Sequence, residues 1–277
     1  MTTGRLTIHD NLEQRSEEWH ALRCGMVTAS SVGALLTVAK PGAIAYACPS
    51  CDATAGHVCV SLRGGAPIKT THPERVTLAL TIDAEPVVSA HAGDESENLA
   101  LILAAERITG HAEDTFTTRD MWRGVEAEPF ARDTYAANFA PVTEVGFMVR
   151  TFKDGTRIGY SPDGIVGKDG LIEVKAPRQK GHLSTILGGT VPAHHMAQIQ
   201  CGLLVSGREW CDFLSFYGGM PLYPVRVYAD VNWHSAIRAG VAHLEERIAN
   251  ILTTYQAAVT GLPMTERLPD PFAEIAV

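Results

Sequence analysis

An aspartate, a glutamate and a lysine fall close together in the run Gly159-Tyr160-Ser161-Pro162-Asp163-Gly164-Ile165-Val166, followed by Leu171-Ile172-Glu173-Val174-Lys175-Ala176-Pro177. Apolar residues bracket both parts and a Lys-Asp-Gly turn at 168–170 joins them, which predicts a β-hairpin. Side chains alternate faces along a strand, so Glu173 and Lys175 share one face while Val174 turns to the core. Asp163 stands at the start of the neighbouring strand. Two carboxylates beside a cation suit a hard divalent ion, Mg²⁺ above all, which takes a few oxygen ligands and keeps waters. Such an ion stabilises charge on a phosphate oxygen and lowers the pKa of a bound water. A plainer account also fits: Asp-Gly is common in turns, and Glu-x-Lys on an exposed strand is a solvated ion pair. The rest of the chain decides between them.

A second cluster lies upstream. Cys48-Pro49-Ser50-Cys51 is followed by Cys59 and then His72, a set of thiol and imidazole donors of the kind that closes a tetrahedral structural Zn²⁺ site. The segment is otherwise rich in Gly, Ala, Ser and Thr, so it has little to fold around except a metal. His57 rivals His72 as the fourth ligand, although one residue from Cys59 it is awkwardly placed to bind the same ion. Cys24, Cys201 and Cys211 are scattered and read as small core residues.

These clusters must be positioned by the elements around them. Ser16, with Glu17 and Glu18 behind it, predicts a capped helix ending near Gly25. A second helix is expected to begin at Thr28 to Ser30. Arg23 at the end of the first and the hydroxyls at the start of the second form a possible anion pocket. Residues 76–93 read as a linker or weak strands. Helices are expected over 97–109, 122–139, 194–205 and 232–260. Strands are expected over 142–149, 157–160, 210–217 and 222–228. The order predicts an α/β fold with a central mixed sheet flanked by helices. Residues 1–39 and 77–277 would form its core, with 40–76 as a small inserted module.

The chain has 277 residues, 45% hydrophobic and 19% charged, with a formal charge of −8. That excludes a disordered chain and a protein that coats nucleic acid with its whole surface, but not an enzyme that grips DNA in one groove. No apolar run is long enough to span a membrane and the first residues lack the apolar core of a signal peptide, so a cytoplasmic location is expected.

Taken in chain order, Glu128, Asp163, Glu173-x-Lys175 and Gln198 resemble the PD-(D/E)XK nuclease superfamily, and more closely the lambda-exonuclease or YqaJ-type viral recombinase nucleases. The resemblance extends to Trp19, Leu22-Arg23-x-Gly25, Thr28-Ala29-Ser30, Gly124 with Glu128 four residues on, Ser161-Pro162-Asp163-Gly164 and Met196-Ala197-Gln198-Ile199-Gln200. It implies a restriction-endonuclease-like core and 5′ to 3′ degradation of linear duplex DNA by two Mg²⁺ ions, with Mn²⁺ able to substitute. It also implies a homotrimer and a single-strand annealing protein as partner. By position, Asp163 and Glu173 would bind Mg²⁺ with the Val174 carbonyl as a further ligand, and Glu128 would support the second ion. Lys175 would orient or deprotonate the attacking water, and Gln198 would hold the lysine or the water. Arg23, Ser30 and Ser161 would bind a terminal 5′-phosphate. Glu126 competes with Glu128, but lies about 200° around the helix from Gly124 and should face elsewhere.

The cysteine module similarly resembles a short zinc finger of actinobacterial and phage proteins through Cys48, Pro49, Cys51, Ala53, Gly56, Cys59, His72 and Arg75. Its basic residues Lys40, Arg63, Lys69 and Arg75 make DNA contact possible. Other readings of the whole chain are an endonuclease, a RecB-like 3′ to 5′ exonuclease, or a zinc-bearing DNA-binding protein with a decayed nuclease site.

Overall fold

The computed structural model describes residues 4–112 and 119–268. The chain opens with strand β1 (Gly4–His9), which the sequence reading did not include, and helix α1 (Glu17–Arg23). Ser16 caps α1 as expected, its hydroxyl accepting from the Trp19 amide at 3.2 Å. The helix expected to start at Thr28 to Ser30 is absent. Val27 and Thr28 instead form a short strand, β2, and a single 3-10 turn follows over Val32–Leu35. The reason is tertiary: β2 runs parallel to β7 (Arg157–Tyr160), and the Ala29 amide extends the ladder to the Gly159 carbonyl at 2.9 Å. Two β-branched or apolar residues with a waiting strand edge outweigh the capping potential of Thr28 and Ser30.

Strand β3 (Leu36–Ala39) pairs antiparallel with β4 (Val87–Ala90), and the cysteine module hangs between them. Within 76–93, the residues to Thr81 belong to helix α2 (Pro73–Thr81), opened by Pro73 at its first position. Helices α3 (Asp94–Thr109) and α4 (Arg119–Asn138) follow, α3 closing on Gly110 in the left-handed region.

The single strand expected over 142–149 is two: β5 (Val142–Thr143) and β6 (Phe147–Phe152), which lie in different sheets. Gly146 marks the break, because a Cβ there would lie 1.9 Å from the Leu12 carbonyl oxygen. The predicted hairpin is present as β8 (Gly164–Val166) and β9 (Gly170–Lys175), paired antiparallel. Helix α5 (Gln179–Gly188), unforeseen, leads to α6 (Ala193–Ser206), β10 (Trp210–Ser215), β11 (Tyr223–Tyr228) and the long closing helix α7 (Val231–Ala258).

Besides the β3-β4 pair, the mixed α/β architecture is divided between two larger sheets, in the orders β1-β6-β7-β2 and β11-β10-β9-β8-β5. Helix α6 packs against both. Its Ile199, Leu203 and Leu204 share one core with Ile158 and Tyr160 of the first sheet and Leu171 and Phe213 of the second. Gly202 permits this approach, since a Cβ there would lie 2.7 Å from the Tyr160 ring. Cys201 and Cys211 are buried in this core, as expected, and Cys24 is half-buried. No helix among the described residues is long and apolar enough to cross a membrane.

Candidate active site

The loop between β7 and β8 carries Asp163, and its carboxylate accepts the Val174 amide of β9 at 2.6 Å. That bond holds Asp163 against the strand that bears Glu173 and Lys175. Glu173 is 1% exposed and accepts through one oxygen from Lys175 Nζ at 2.7 Å and from Gln198 Nε2 at 2.6 Å. The Tyr160 hydroxyl reaches its other oxygen at 3.4 Å. Gln200, two residues on in α6, is turned away to the Tyr228 carbonyl and the Asp230 amide, bracing the fold.

Glu128 arrives from α4. Its helix neighbours Ala131 and Tyr135 are buried against β8, β9 and β10, and the Tyr135 hydroxyl donates to Asp212 at 2.6 Å. Residues at i, i+3 and i+7 share a helix face, so pinning Tyr135 turns Glu128 inward. Arg132, one turn on, donates to Glu128 at 2.6 Å and also pairs with Glu144. Glu126 is exposed and lines an outer groove with Phe130 and Asp133.

The electrostatics bind these side chains into one unit. Burial pushes the Asp163 carboxyl well above its ordinary range, and the charges of Glu173 and Glu128 push it further. Glu128 is likewise raised by burial, against the pull of Arg132 and Arg15. Burial alone would lower the Lys175 ammonium, but Glu173 and Asp163 outweigh it and hold the group protonated. His195 at the start of α6 is pushed down to about 3 by burial, His194 and Lys175, so it stays neutral. Three crowded carboxylates, Asp163, Glu173 and Glu128, form the hard-oxygen donor set that suits a divalent cation.

Beside this group, Trp19 Nε1 donates to Ser161 Oγ at 2.9 Å and the Arg23 guanidinium stacks on the Trp19 ring, 3.8 Å from its centroid. Burial lowers Arg23 to about 10, with Glu106 opposing. Ser30 is exposed and exchanges a hydrogen bond with Thr28 at 3.0 Å. The parallel register Thr28 to Gly159 carries Ser30 and Ser161 out at the same end of β2 and β7. Tyr160, Arg132 and the bridging role of Trp19 were not foreseen. Only the alternation Tyr160, Pro162 around Ser161 hints at the first.

In the cysteine module, the donor atoms of Cys48, Cys51, Cys59 and His72 all lie within 4.8 Å of one another, the donor set and compactness of structural zinc. His57 is outside the cluster, bonded to Thr54 Oγ1 at 3.0 Å. Arg75, one of the four basic residues that make DNA contact possible in this module, is fully buried. Its guanidinium donates to the Cys59 sulfur at 3.3 Å and to the carbonyls of Ile44, Tyr46, Thr54 and His57. It therefore organises the loops instead of meeting a ligand. Lys40 is engaged with Asp83 at 2.7 Å.

With this geometry in place, comparison with known proteins gives a consistent picture. The family model of the YqaJ-like viral recombinase domain matches residues 83–209, and that of a putative DNA-binding phage zinc finger domain matches residues 13–92. Among solved structures, the chain is similar to an alkaline exonuclease (LHK-Exo) from Laribacter hongkongensis. It is 26% identical, 90% of this chain covers 100% of that one, and the TM-score is 0.61. LHK-Exo in complex with dAMP gives the same identity and coverage with a TM-score of 0.63. A search among curated proteins finds no match. Residues 83–209 thus match a YqaJ-like viral recombinase domain and residues 13–92 a phage zinc finger domain, on a fold similar to that of an alkaline exonuclease.

Proposed function

We propose that the chain is a Mg²⁺-dependent exonuclease that degrades linear duplex DNA 5′ to 3′ and exposes a 3′ strand for recombination. The observation that carries this reading is the meeting of Asp163, Glu173, Lys175, Glu128 and Gln198 in one site. The likeness to an alkaline exonuclease solved with a nucleotide supports it. On the resemblance to the lambda-type enzymes, it works as a homotrimer beside a single-strand annealing protein.

Asp163, Glu173 and Glu128, with the Val174 carbonyl, would hold Mg²⁺, or Mn²⁺ in its place. Such ions, when bound, acidify a water and share the charge of the attacking and leaving oxygens. Lys175 lies 2.7 Å from Glu173, placed to orient or deprotonate the attacking water and to offset negative charge at the phosphate. Gln198 fixes Glu173, and Arg132 fixes Glu128. Arg23, Ser161 and Ser30 would receive the 5′-phosphate, with Trp19 orienting both Arg23 and Ser161.

The deciding experiment uses linear duplexes labelled at the 5′ or the 3′ end, with and without Mg²⁺. Mononucleotides released from the 5′ end only when Mg²⁺ is present are expected. Release from the 3′ end, internal cuts or no Mg²⁺ dependence would each replace this reading. Arg23→Ala is expected to reduce the preference for 5′-phosphorylated over 5′-hydroxyl ends by roughly 10- to 100-fold, the worth of a charge-assisted hydrogen bond. Equal loss on the two ends, in matched initial rates, would contradict the assignment.

A further inference from the structure

The chain is tied to the active-site loop on both sides of Arg15, by Gln14 just ahead of α1 and by Trp19 within it. Gln14 Nε2 donates to the Pro162 carbonyl at 3.2 Å, and beyond Arg15, Trp19 donates to Ser161. Pro162 immediately precedes Asp163, so this segment borders the carboxylate cluster. Arg15 itself has φ 71°, in the left-handed region that residues with a Cβ occupy at a cost and glycine does not. Among the described non-glycine residues, only Arg15 and Asp52 have positive φ.

The side chain held there is exposed. It makes no hydrogen bond and no ion pair among the described residues, yet its charge is felt at Glu128. Glu128 already has Arg132 as a direct partner, so a second cation is not needed to balance it. The placement makes sense for a ligand arriving from solvent. A site crowded with carboxylates, on a chain of net charge −8, repels a polyanion unless cations stand at its entrance. The planar donors of an arginine match a phosphate in two-point fashion.

We infer that Arg15 binds a backbone phosphate of the duplex at the mouth of the active site, separately from the half-buried Arg23 proposed above for the terminal phosphate. The inference rests on the nuclease reading above. It concerns an internal phosphodiester, and so grip and rate rather than end selection.

The test uses the full chain and the variants Arg15→Gly and Arg15→Lys. Binding to a 5′-phosphorylated linear duplex is followed by fluorescence anisotropy over a salt series, with Ca²⁺ replacing Mg²⁺ to hold back cleavage. Arg15→Gly is expected to weaken binding about 10-fold and to flatten the slope of log affinity against log salt by about 0.9, one phosphate contact. Arg15→Lys should keep the slope. Thermal stability should hold or rise by about 2 °C in the glycine variant, since the left-handed backbone is then unstrained. An unchanged slope in Arg15→Gly, with the wild type still degrading DNA, removes the assignment of Arg15 alone. So does a fall of several degrees in Tm, which marks a structural role. A wild type that neither binds nor degrades the duplex removes the nuclease reading and this inference together.

Discussion

Asp163→Asn is expected to lower the rate of duplex degradation on the order of 10³-fold while leaving the fold intact. Asp163 touches both halves of the site, accepting the Val174 amide and facing Glu173 and Glu128. An asparagine keeps the acceptor for that amide but removes the charge a divalent ion needs. Stability should move the other way. The Asp163 carboxyl is raised in the folded protein by burial, Glu173 and Glu128. Such a group favours the fold below its ordinary unfolded pKa and loses that contribution as pH rises through its raised folded value. As pH rises through that folded value without Mg²⁺, ionising the carboxylate therefore costs stability, and Asp163→Asn should melt above the wild type on the alkaline side. Adding Mg²⁺ should stabilise the wild type, by about 2.7 kcal/mol at a hundredfold excess over Kd, and the variant hardly at all. Thermal melts in zinc-containing buffer with a Mg²⁺ titration check this. Equal Mg²⁺ stabilisation of both proteins would place the ion elsewhere.

Why was so much of this site legible in the sequence? The hairpin from 159 to 177 announces itself through alternation and a turn, and alternation alone puts Glu173 and Lys175 on one face. Glu128 is favoured over Glu126 by the Gly124-to-Glu128 spacing of the family resemblance together with helical period, and the observed packing of Ala131 and Tyr135 is the same arithmetic continued. What escaped depended on partners distant in sequence. Whether Thr28 caps a helix or extends a strand is decided by the edge of β7, more than a hundred residues away. Whether Arg75 meets solvent is decided by four loop carbonyls that converge on it. The split of 142–149 into two sheets is decided by the approach of the Leu12 carbonyl to Gly146. The left-handed backbone at Arg15 has no sequence signature at all, because an arginine advertises a preference for ordinary helix or surface.

Removal of zinc is expected to unfold the cysteine module while leaving the nuclease core folded. Of its apolar side chains, Cys48 and Cys59 are buried at 2%, whereas Val58 and Leu62 are exposed. The side chain that fills its centre is Arg75, a cation satisfied by carbonyls and a thiol rather than by hydrocarbon. Such a centre supplies little hydrophobic stabilisation, so the metal must supply it, and structural zinc contributes about 10–16 kcal/mol in isolated fingers. The Cys59 thiol is already lowered to about 6, by the backbone at His72 and by Arg75 against burial, so it is ready to bind as thiolate at neutral pH. Cys59→Ser should abolish the one-to-one zinc content measured by mass spectrometry and open the chain to protease between residues 48 and 72. Arg75→Met keeps every donor atom but removes the bond to Cys59 and the tether of four loop carbonyls, and should weaken zinc binding by roughly 10- to 100-fold. Because a chelator also strips Mg²⁺, the chelated protein is assayed after Mg²⁺ alone is restored. Protease resistance equal to that of the zinc-loaded protein would show that the loops hold themselves. Cutting confined to 48–72, with degradation of DNA retained at the core, would show that the metal braces the module alone.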